Sequence, residues 1–228
     1  FSGVLTEIIF SDGTVLVADE MKEIARKGTE YDDISLFGTN GDDFLDGKAG
    51  NDCIKGEWGD DILIGGDGSD KIDGGYGNDT LEGGSGDDEL FGAHGEDILS
   101  GGIGNDNLDG GHDNDTYIFH AGDGQDIIFD SSYSSNLNSV GMFDRIDFIG
   151  VDINDIRAKQ VNNDLILTFN DSTDQVTIKD QFLKGTQWDN STTYYYSIEF
   201  ITFADGIMRS MDNFLALSLK GSDENDII

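Results

Sequence analysis

The sequence predicts an all-β protein: a flattened coil of short parallel strands, closed by a β-rich cap with short helices. Three observations predict it. A nine-residue unit recurs nine times without a break from Gly38 to Ile118. Every unit carries one aspartate and one large apolar residue at fixed places. Beyond Ile118 glycine thins out and aromatic and β-branched residues take over.

Composition narrows the chemistry. The 228 residues hold 47 Asp+Glu against 13 Lys+Arg, a formal net charge of −34, with 32 Gly, no Pro and one Cys. Length allows one or two domains. Apolar runs stay under ten residues, so no segment reads as a membrane-spanning helix. The single Cys53 excludes an internal disulfide framework, and no Cys/His spacing suits structural zinc. Nucleic acid and acidic lipid both need basic patches, which this charge opposes. A cation is the natural counter-charge, and hard carboxylate oxygens favour Ca²⁺ or Mg²⁺.

The units open at Gly38, Gly47, Gly56, Gly65, Gly74, Gly83, Gly92, Gly101 and Gly110. The fourth place is glycine in eight of nine (Gly41, Gly50, Gly59, Gly68, Gly77, Gly86, Gly95, Gly104) and Asp113 in the last. The sixth place is always aspartate: Asp43, Asp52, Asp61, Asp70, Asp79, Asp88, Asp97, Asp106 and Asp115. The eighth is Leu45, Ile54, Leu63, Ile72, Leu81, Leu90, Leu99, Leu108 and Tyr117. The seventh is chemically mixed, from Phe44 and Cys53 to Lys71 and Thr116.

Each element follows. Glycine permits positive φ and a sharp turn. One apolar residue between polar neighbours fits a short strand with one side chain inward. A unit is then a turn plus a strand. Two units complete one circuit, and the eighth-place residues stack as an interior ladder. The seventh place faces out. One buried side chain contributes about 1.5–3 kcal/mol. Ordering nine residues costs roughly 1–2 kcal/mol each. The units also repel, since residues 38–118 hold 21 Asp+Glu and 3 Lys+Arg. Something external must supply positive charge and free energy. Calcium fits: sixth-place carboxylates of alternate units would face one another across stacked turns. Extended turns offer carbonyls to both sides, building a shell of six to eight oxygens. Pairing odd with odd and even with even units predicts about seven ions. An acidic, glycine-rich flexible linker is the bland alternative, but linkers do not hold residue types in register over 81 residues.

Units such as Gly65-Gly66-Asp67-Gly68-Ser69-Asp70-Lys71-Ile72-Asp73 resemble the haemolysin-type calcium-binding nonapeptides of the repeats-in-toxin (RTX) family. The resemblance implies a parallel β-roll and type I secretion from a Gram-negative bacterium. The predicted carbonyl donors are the fourth-place glycines and the second-place residues Thr39, Lys48, Glu57, Gly66, Gly75, Gly84, Ala93 and Gly102. Non-glycine residues at Thr39, Lys48, Glu57 and Ala93 depart from the family pattern but keep a carbonyl. Asp33, Asp113 and Asp126 are further possible metal ligands, in an imperfect lead-in unit (28–37), the last strict unit and a degenerate exit unit (121–128).

The flanks predict further elements. Asp164–Phe169 and Gln175–Ile178 read as strands around a turn, and Glu199–Phe203 as another strand closed by Asp205-Gly206. Residues 212–219 read as a short helix capped by Ser210 or Asp212. Such a cap would cover the open end of the coil. Nine residues recur at an offset of 193, from Ile8 and Phe10 (Ile201, Phe203) to Asp33 and Ile34 (Asp226, Ile227). The expected division is a cap-like tail over 1–27, the roll over 28–118, the cap over 119–220, and the start of a following repeat unit over 221–228. The chain then reads as about one period of a longer protein.

No zinc-protease helix motif or nucleophile elbow appears, and the acidic pairs such as Asp60–Asp61 belong at least half to the repeat frame. His94, His112 and His120 read as surface residues. The expected function is non-enzymatic: a calcium-binding secretion module, unfolded at cytosolic calcium and folded outside the cell. Neighbouring modules of the same longer chain are its expected partners. Two alternatives remain at this point. The cap could bind a glycan or host-surface ligand through Trp188 and Tyr194–Tyr196, or the chain could be the accessory tail of a secreted enzyme.

Overall fold

The computed structural model describes residues 7–9, 15–17, 27–33, 35–129, 143–170, 172–182, 184–186, 192–194 and 198–218. The strict repeats form a two-sheet roll. One row of strands is β4 (Phe44–Ala49), β6 (Ile62–Asp67), β8 (Thr80–Ser85), β10 (Ile98–Ile103) and β12 (Thr116–His120). The other is β3 (Leu36–Phe37), β5 (Cys53–Trp58), β7 (Lys71–Tyr76), β9 (Glu89–His94) and β11 (Asn107–His112). Neighbours within a row are parallel and pair residues 18 apart, such as Leu63 with Leu81 and Ile72 with Leu90. Two nonapeptides therefore make one circuit, as the period predicts.

Burial alternates along each strand. In Lys71–Tyr76 the eighth-place Ile72 and the following first-place Gly74 are buried, while seventh-place Lys71 is exposed. The eighth-place ladder is sealed throughout, with exposures of 0–1% from Leu45 to Tyr117. Tyr117 is the one polar member, and its hydroxyl accepts the Gly110 N–H at 2.7 Å. The strand runs further than the sequence suggests. First-, second- and third-place residues belong to it, so the turn proper is only the fourth to sixth places.

Beyond the strict repeats the same two sheets continue. β13 (Gln125–Ile128) joins β11 in parallel, and β17 (Gln175–Ile178) joins β13. β14 (Arg145–Ile149) joins β12, and β20 (Phe200–Thr202) joins β14. The sheets switch to antiparallel only at their ends. There β16 (Asp164–Phe169) and β15 (Ile156–Val161) close one row, and β21 (Met208–Ser210) closes the other. The apolar ladder continues accordingly: Tyr117 registers with Ile146 and Ile146 with Ile201. Leu108 registers with Ile128 and Ile128 with Ile178. Phe148 stacks on Phe203 at 5.6 Å, and Phe214 packs beside Phe203 at 5.6 Å. Phe214 lies on helix α1 (Met211–Ser218), which starts one residue earlier than expected. Ser210 is its cap, its Oγ accepting the Asn213 N–H at 3.4 Å. Two antiparallel pairs complete the described strands: β1 (Glu7–Ile9) with β2 (Val15–Val17), and β18 (Lys184–Thr186) with β19 (Thr192–Tyr194).

The β1–β2 hairpin repeats β20–β21 residue for residue at the sequence offset of 193. Ile8 pairs with Leu16 as Ile201 pairs with Arg209. Residues 219–228 lie outside the described residues, as does most of 1–26.

Candidate metal centre

The turns place the sixth-place carboxylates in two rows. One row contains Asp43, Asp61, Asp79, Asp97 and Asp115; the other contains Asp33, Asp52, Asp70, Asp88 and Asp106. Each carboxylate reaches back to the rung behind it. Asp52 N–H donates to Asp70 Oδ1 at 2.7 Å, Asp70 N–H to Asp88 Oδ1 at 2.7 Å, and Asp79 N–H to Asp97 Oδ1 at 2.7 Å. Asp43 N–H does the same with Asp61, and Asp33 N–H with Asp52. One oxygen of every interior rung is thus tied down.

The other oxygen is not. Oδ2 of Asp52, Asp61, Asp70, Asp79, Asp88, Asp97, Asp106 and Asp115 is buried without a hydrogen-bond partner. These eight residues are 0–3% exposed. A buried, unpartnered carboxylate oxygen is costly, and here it recurs at constant spacing. Burial pushes Asp70, Asp79 and Asp88 up to about 6, Asp97 and Asp106 to about 7, and Asp115 to about 8. The backbone N–H bonds oppose this rise, and the neighbouring carboxylates add to it. The first rungs differ. Oδ2 of Asp33 accepts the Thr29 N–H at 2.6 Å, and Oδ2 of Asp43 accepts both the Thr39 N–H at 2.5 Å and the Thr39 hydroxyl at 2.7 Å.

From Asp52 to Asp97, Oδ2 shares the space over its first-place glycine with a carbonyl of the next turn in the row. A methyl group placed on first-place Gly65 would lie 2.3 Å from Asp70 Oδ2 and 2.6 Å from the Gly83 carbonyl of the next turn in the row. On second-place Gly66 it would lie 2.1 Å from the Lys48 carbonyl, and on fourth-place Gly68 1.8 Å from the Gly50 carbonyl. First-place carbonyls thus face the turn behind, and second- and fourth-place carbonyls face the turn ahead. This is the two-sided presentation expected of an extended turn. Second-place Gly75, Gly84 and Gly102 and fourth-place Gly59, Gly77, Gly86, Gly95 and Gly104 keep the same positive φ. Lys48, Glu57 and Ala93 adopt it despite their side chains, at 73°, 78° and 82°. Asp113 follows at 80° in the glycine place, with its side chain exposed.

Among the described residues, the groups that meet between the turns are carboxylate and carbonyl oxygens, which suits a hard cation. Among the described residues no three His, Cys, Asp or Glu side chains converge on one point. A cation held here must therefore draw on carbonyls as well as on two carboxylates. The spacing and chemistry of the donors fit calcium.

The sequence of residues 37–128 decides what this array is. It matches the family model of the RTX calcium-binding nonapeptide repeat in four overlapping copies: 37–72, 64–99, 73–108 and 91–128. Residues 37–128 are RTX calcium-binding nonapeptide repeats. Repeats of this kind bind calcium, and here they form a structural roll. Residues 164–208 match the haemolysin-type calcium binding protein related domain, so the RTX array and its cap both have family counterparts. The crystal structure of extracellular lipase LipA from Serratia marcescens is similar at 23% identity, with a TM-score of 0.28. That match covers 69% of this chain and 38% of the lipase chain. No curated protein matches the chain.

Two features of the RTX array escape a reading of the repeat alone. The first is a second ladder at the fifth place. Asn51 Oδ1 accepts the Ser69 N–H at 2.7 Å, Asp60 Oδ1 the Asn78 N–H at 2.8 Å, and Asp87 Oδ1 the Asn105 N–H at 2.9 Å. The acidic pair Asp60–Asp61 is thereby explained in full, with both members holding turns. The second is that the sixth-place row continues past the repeats. Asp126 Oδ1 accepts the Asp106 N–H at 3.0 Å, Asp144 Oδ1 the Asp115 N–H at 2.8 Å, and Glu199 Oε2 the Asp144 N–H at 2.9 Å. The sequence does carry a signal for these rungs, an acid two residues before a ladder aliphatic: Asp126-Ile127-Ile128, Asp144-Arg145-Ile146 and Glu199-Phe200-Ile201.

The remaining candidates sit elsewhere. Trp58, Tyr76, His94 and His112 stack along the outer face of one sheet, at 4.4, 4.5 and 4.6 Å between rings. His120 is exposed, 3.7 Å from Asp123. Cys53 is a free, half-buried thiol. Trp188, Tyr195 and Tyr196 of the suggested sugar platform lie outside the described residues.

Proposed function

We propose that this chain is a calcium-folded structural module of a secreted RTX protein, released through a type I pathway from a Gram-negative cell. The observation that carries it is the two rows of buried, unpartnered Oδ2 atoms, eight in all, from Asp52 to Asp115. At neutral pH without metal, each rung must either stay charged, out of water and beside like charges, or take up a proton. With calcium between rungs, each oxygen gains a ligand and the repulsion becomes attraction. Ion binding is then folding free energy.

The ligands in this reading are the sixth-place aspartates, aided by second- and fourth-place carbonyls. Seven intervals separate like-row rungs of the strict units, giving about seven ions. Asp33 and Asp126 bound two further intervals, while Asp113 contributes through its backbone. Extracellular calcium modules have dissociation constants of about 0.1–1 mM. A cytosol far below that range leaves the chain unfolded and exportable. The expected division remains a roll over 28–118 and a cap over 119–220, with further modules as neighbours.

Circular dichroism of the full chain tests the reading, with bound calcium counted by native mass spectrometry. The roll signal should appear on adding calcium and vanish in excess chelator. A full β signal in chelator at neutral pH, with no bound calcium, overturns it.

A further inference from the structure

Asp144 and Glu199 lie outside every nonapeptide, yet both occupy sixth places structurally. Asp144 Oδ1 accepts the Asp115 N–H at 2.8 Å, as Asp115 Oδ1 accepts the Asp97 N–H at 2.9 Å. Arg145 N–H donates to the Asp115 carbonyl at 2.9 Å, just as Thr116 N–H donates to the Asp97 carbonyl at 2.8 Å. Glu199 repeats the pattern once more. Its Oε2 accepts the Asp144 N–H at 2.9 Å, and Phe200 N–H donates to the Asp144 carbonyl at 3.1 Å. The sequence intervals are 29 and 55 residues where the roll uses 18.

A second observation points to a ligand there. Asp115 is 1% exposed, and its Oδ2 has no hydrogen-bond partner. Its Oδ1 is spent on the rung behind. Oδ2 lies over first-place Gly110, 2.2 Å from a methyl placed there, the position from which Asp97 Oδ2 over Gly92 meets the turn ahead. For Asp115 the rung ahead is Asp144. Three carboxylates from three distant segments thus stand in one file, with a buried oxygen aimed into the first interval.

We propose that calcium fills the two intervals of this file at the junction, Asp115–Asp144 and Asp144–Glu199, each ion between two carboxylates, and so fastens the cap to the roll. The proposal rests on the calcium reading of the array. It goes beyond that reading because two of its ligands come from the cap side, and Glu199 lies in the segment that matches the related domain.

The test uses the full chain with calcium as the probe. Glu199→Gln keeps an amide oxygen for the Asp144 N–H and removes the charge; Asp144→Asn does the same for the Asp115 N–H. Glu199→Gln should bind one calcium fewer than the parent by native mass spectrometry, and Asp144→Asn at least one fewer. Amide exchange at Ile201 and Arg209 should accelerate in saturating calcium, while β5, β7 and β9 stay protected. An unchanged ion count in either variant overturns the junction site and leaves the array reading intact. A parent that binds no calcium sinks both. Should Glu199→Gln fail to fold with calcium, the count on Asp144→Asn decides.

Discussion

Asp97→Asn should move the two ends of the proposed calcium switch in opposite directions. Asp97 sits mid-row, with Oδ1 on the Asp79 N–H at 2.7 Å and Oδ2 buried and unpartnered. Burial pushes its carboxyl up to about 7, with Asp79 and Asp113 adding to the rise. Against an unfolded value of about 4, the ionised form costs the metal-free roll about 4 kcal/mol at roughly 1.4 kcal/mol per tenfold. Asparagine removes that cost and keeps the Oδ1 acceptor. Its Nδ2 enters a space bounded by carbonyls such as Gly110; any imperfection there returns about 1–3 kcal/mol. The metal-free variant should therefore gain about 1–3 kcal/mol at pH 8. In calcium the sign reverses. Asp97 borders two intervals and turns its unpartnered Oδ2 into the one ahead, so at least one ion loses a charged ligand. The calcium midpoint should rise about tenfold or more, at about 1.4 kcal/mol per tenfold for each site. Far-ultraviolet circular dichroism during a calcium titration, with urea melts in chelator, measures both ends. An unchanged calcium midpoint, or a metal-free variant less stable than the parent, refutes the reasoning.

Three other outcomes follow from the same geometry. Because Asp70 to Asp115 have folded values of about 6 to 8 without metal, the folded roll holds protons that the unfolded chain releases. This contribution is complete below about pH 4 and is lost as pH rises through 6 to 8. Acidifying the chelated protein from pH 8 to 5 should restore β signal, and a flat pH response in chelator would count against it. Gly68→Ala would put a methyl 1.8 Å from the Gly50 carbonyl at a φ of 133°. It should cost at least about 3 kcal/mol in calcium melts; a loss below about 1 kcal/mol would show that the turns do not pack this closely. Ala93→Gly relieves a left-handed alanine at φ 82°, so it should stabilise the calcium form by about 1 kcal/mol, and a lower melting temperature would contradict the assigned backbone.

Period and chemistry made the roll legible. Fixed Asp and aliphatic places gave the 18-residue register, the buried ladder and the outward seventh place. The cap was legible in pieces: Asp164–Phe169 and Gln175–Ile178 alternate cleanly and appear at those bounds. Their continuity with the roll was not. Unequal sequence intervals of 20, 29 and 55 residues lead to Asp126, Asp144 and Glu199, so a fixed-period frame loses them while the sheet does not. Sheet register depends on the backbone ladder, which tolerates any loop that returns the strand to its neighbour. The fifth-place ladder escaped for a different reason. Asp42, Asn51, Ser69 and Glu96 look unrelated as letters, yet each of these side chains except Glu96 accepts a turn N–H 18 residues ahead. Glu96 instead takes the Asn114 side-chain amide at 3.0 Å.

The stacked rings of Trp58, Tyr76, His94 and His112 give the roll an optical gauge of its own. Trp58 and Tyr76 meet at 4.4 Å with planes 19° apart only while their strands keep step. Replacing Trp188 by phenylalanine would leave Trp58 as the sole indole. Its emission would then report the winding of this one flank, separately from the far end of the chain.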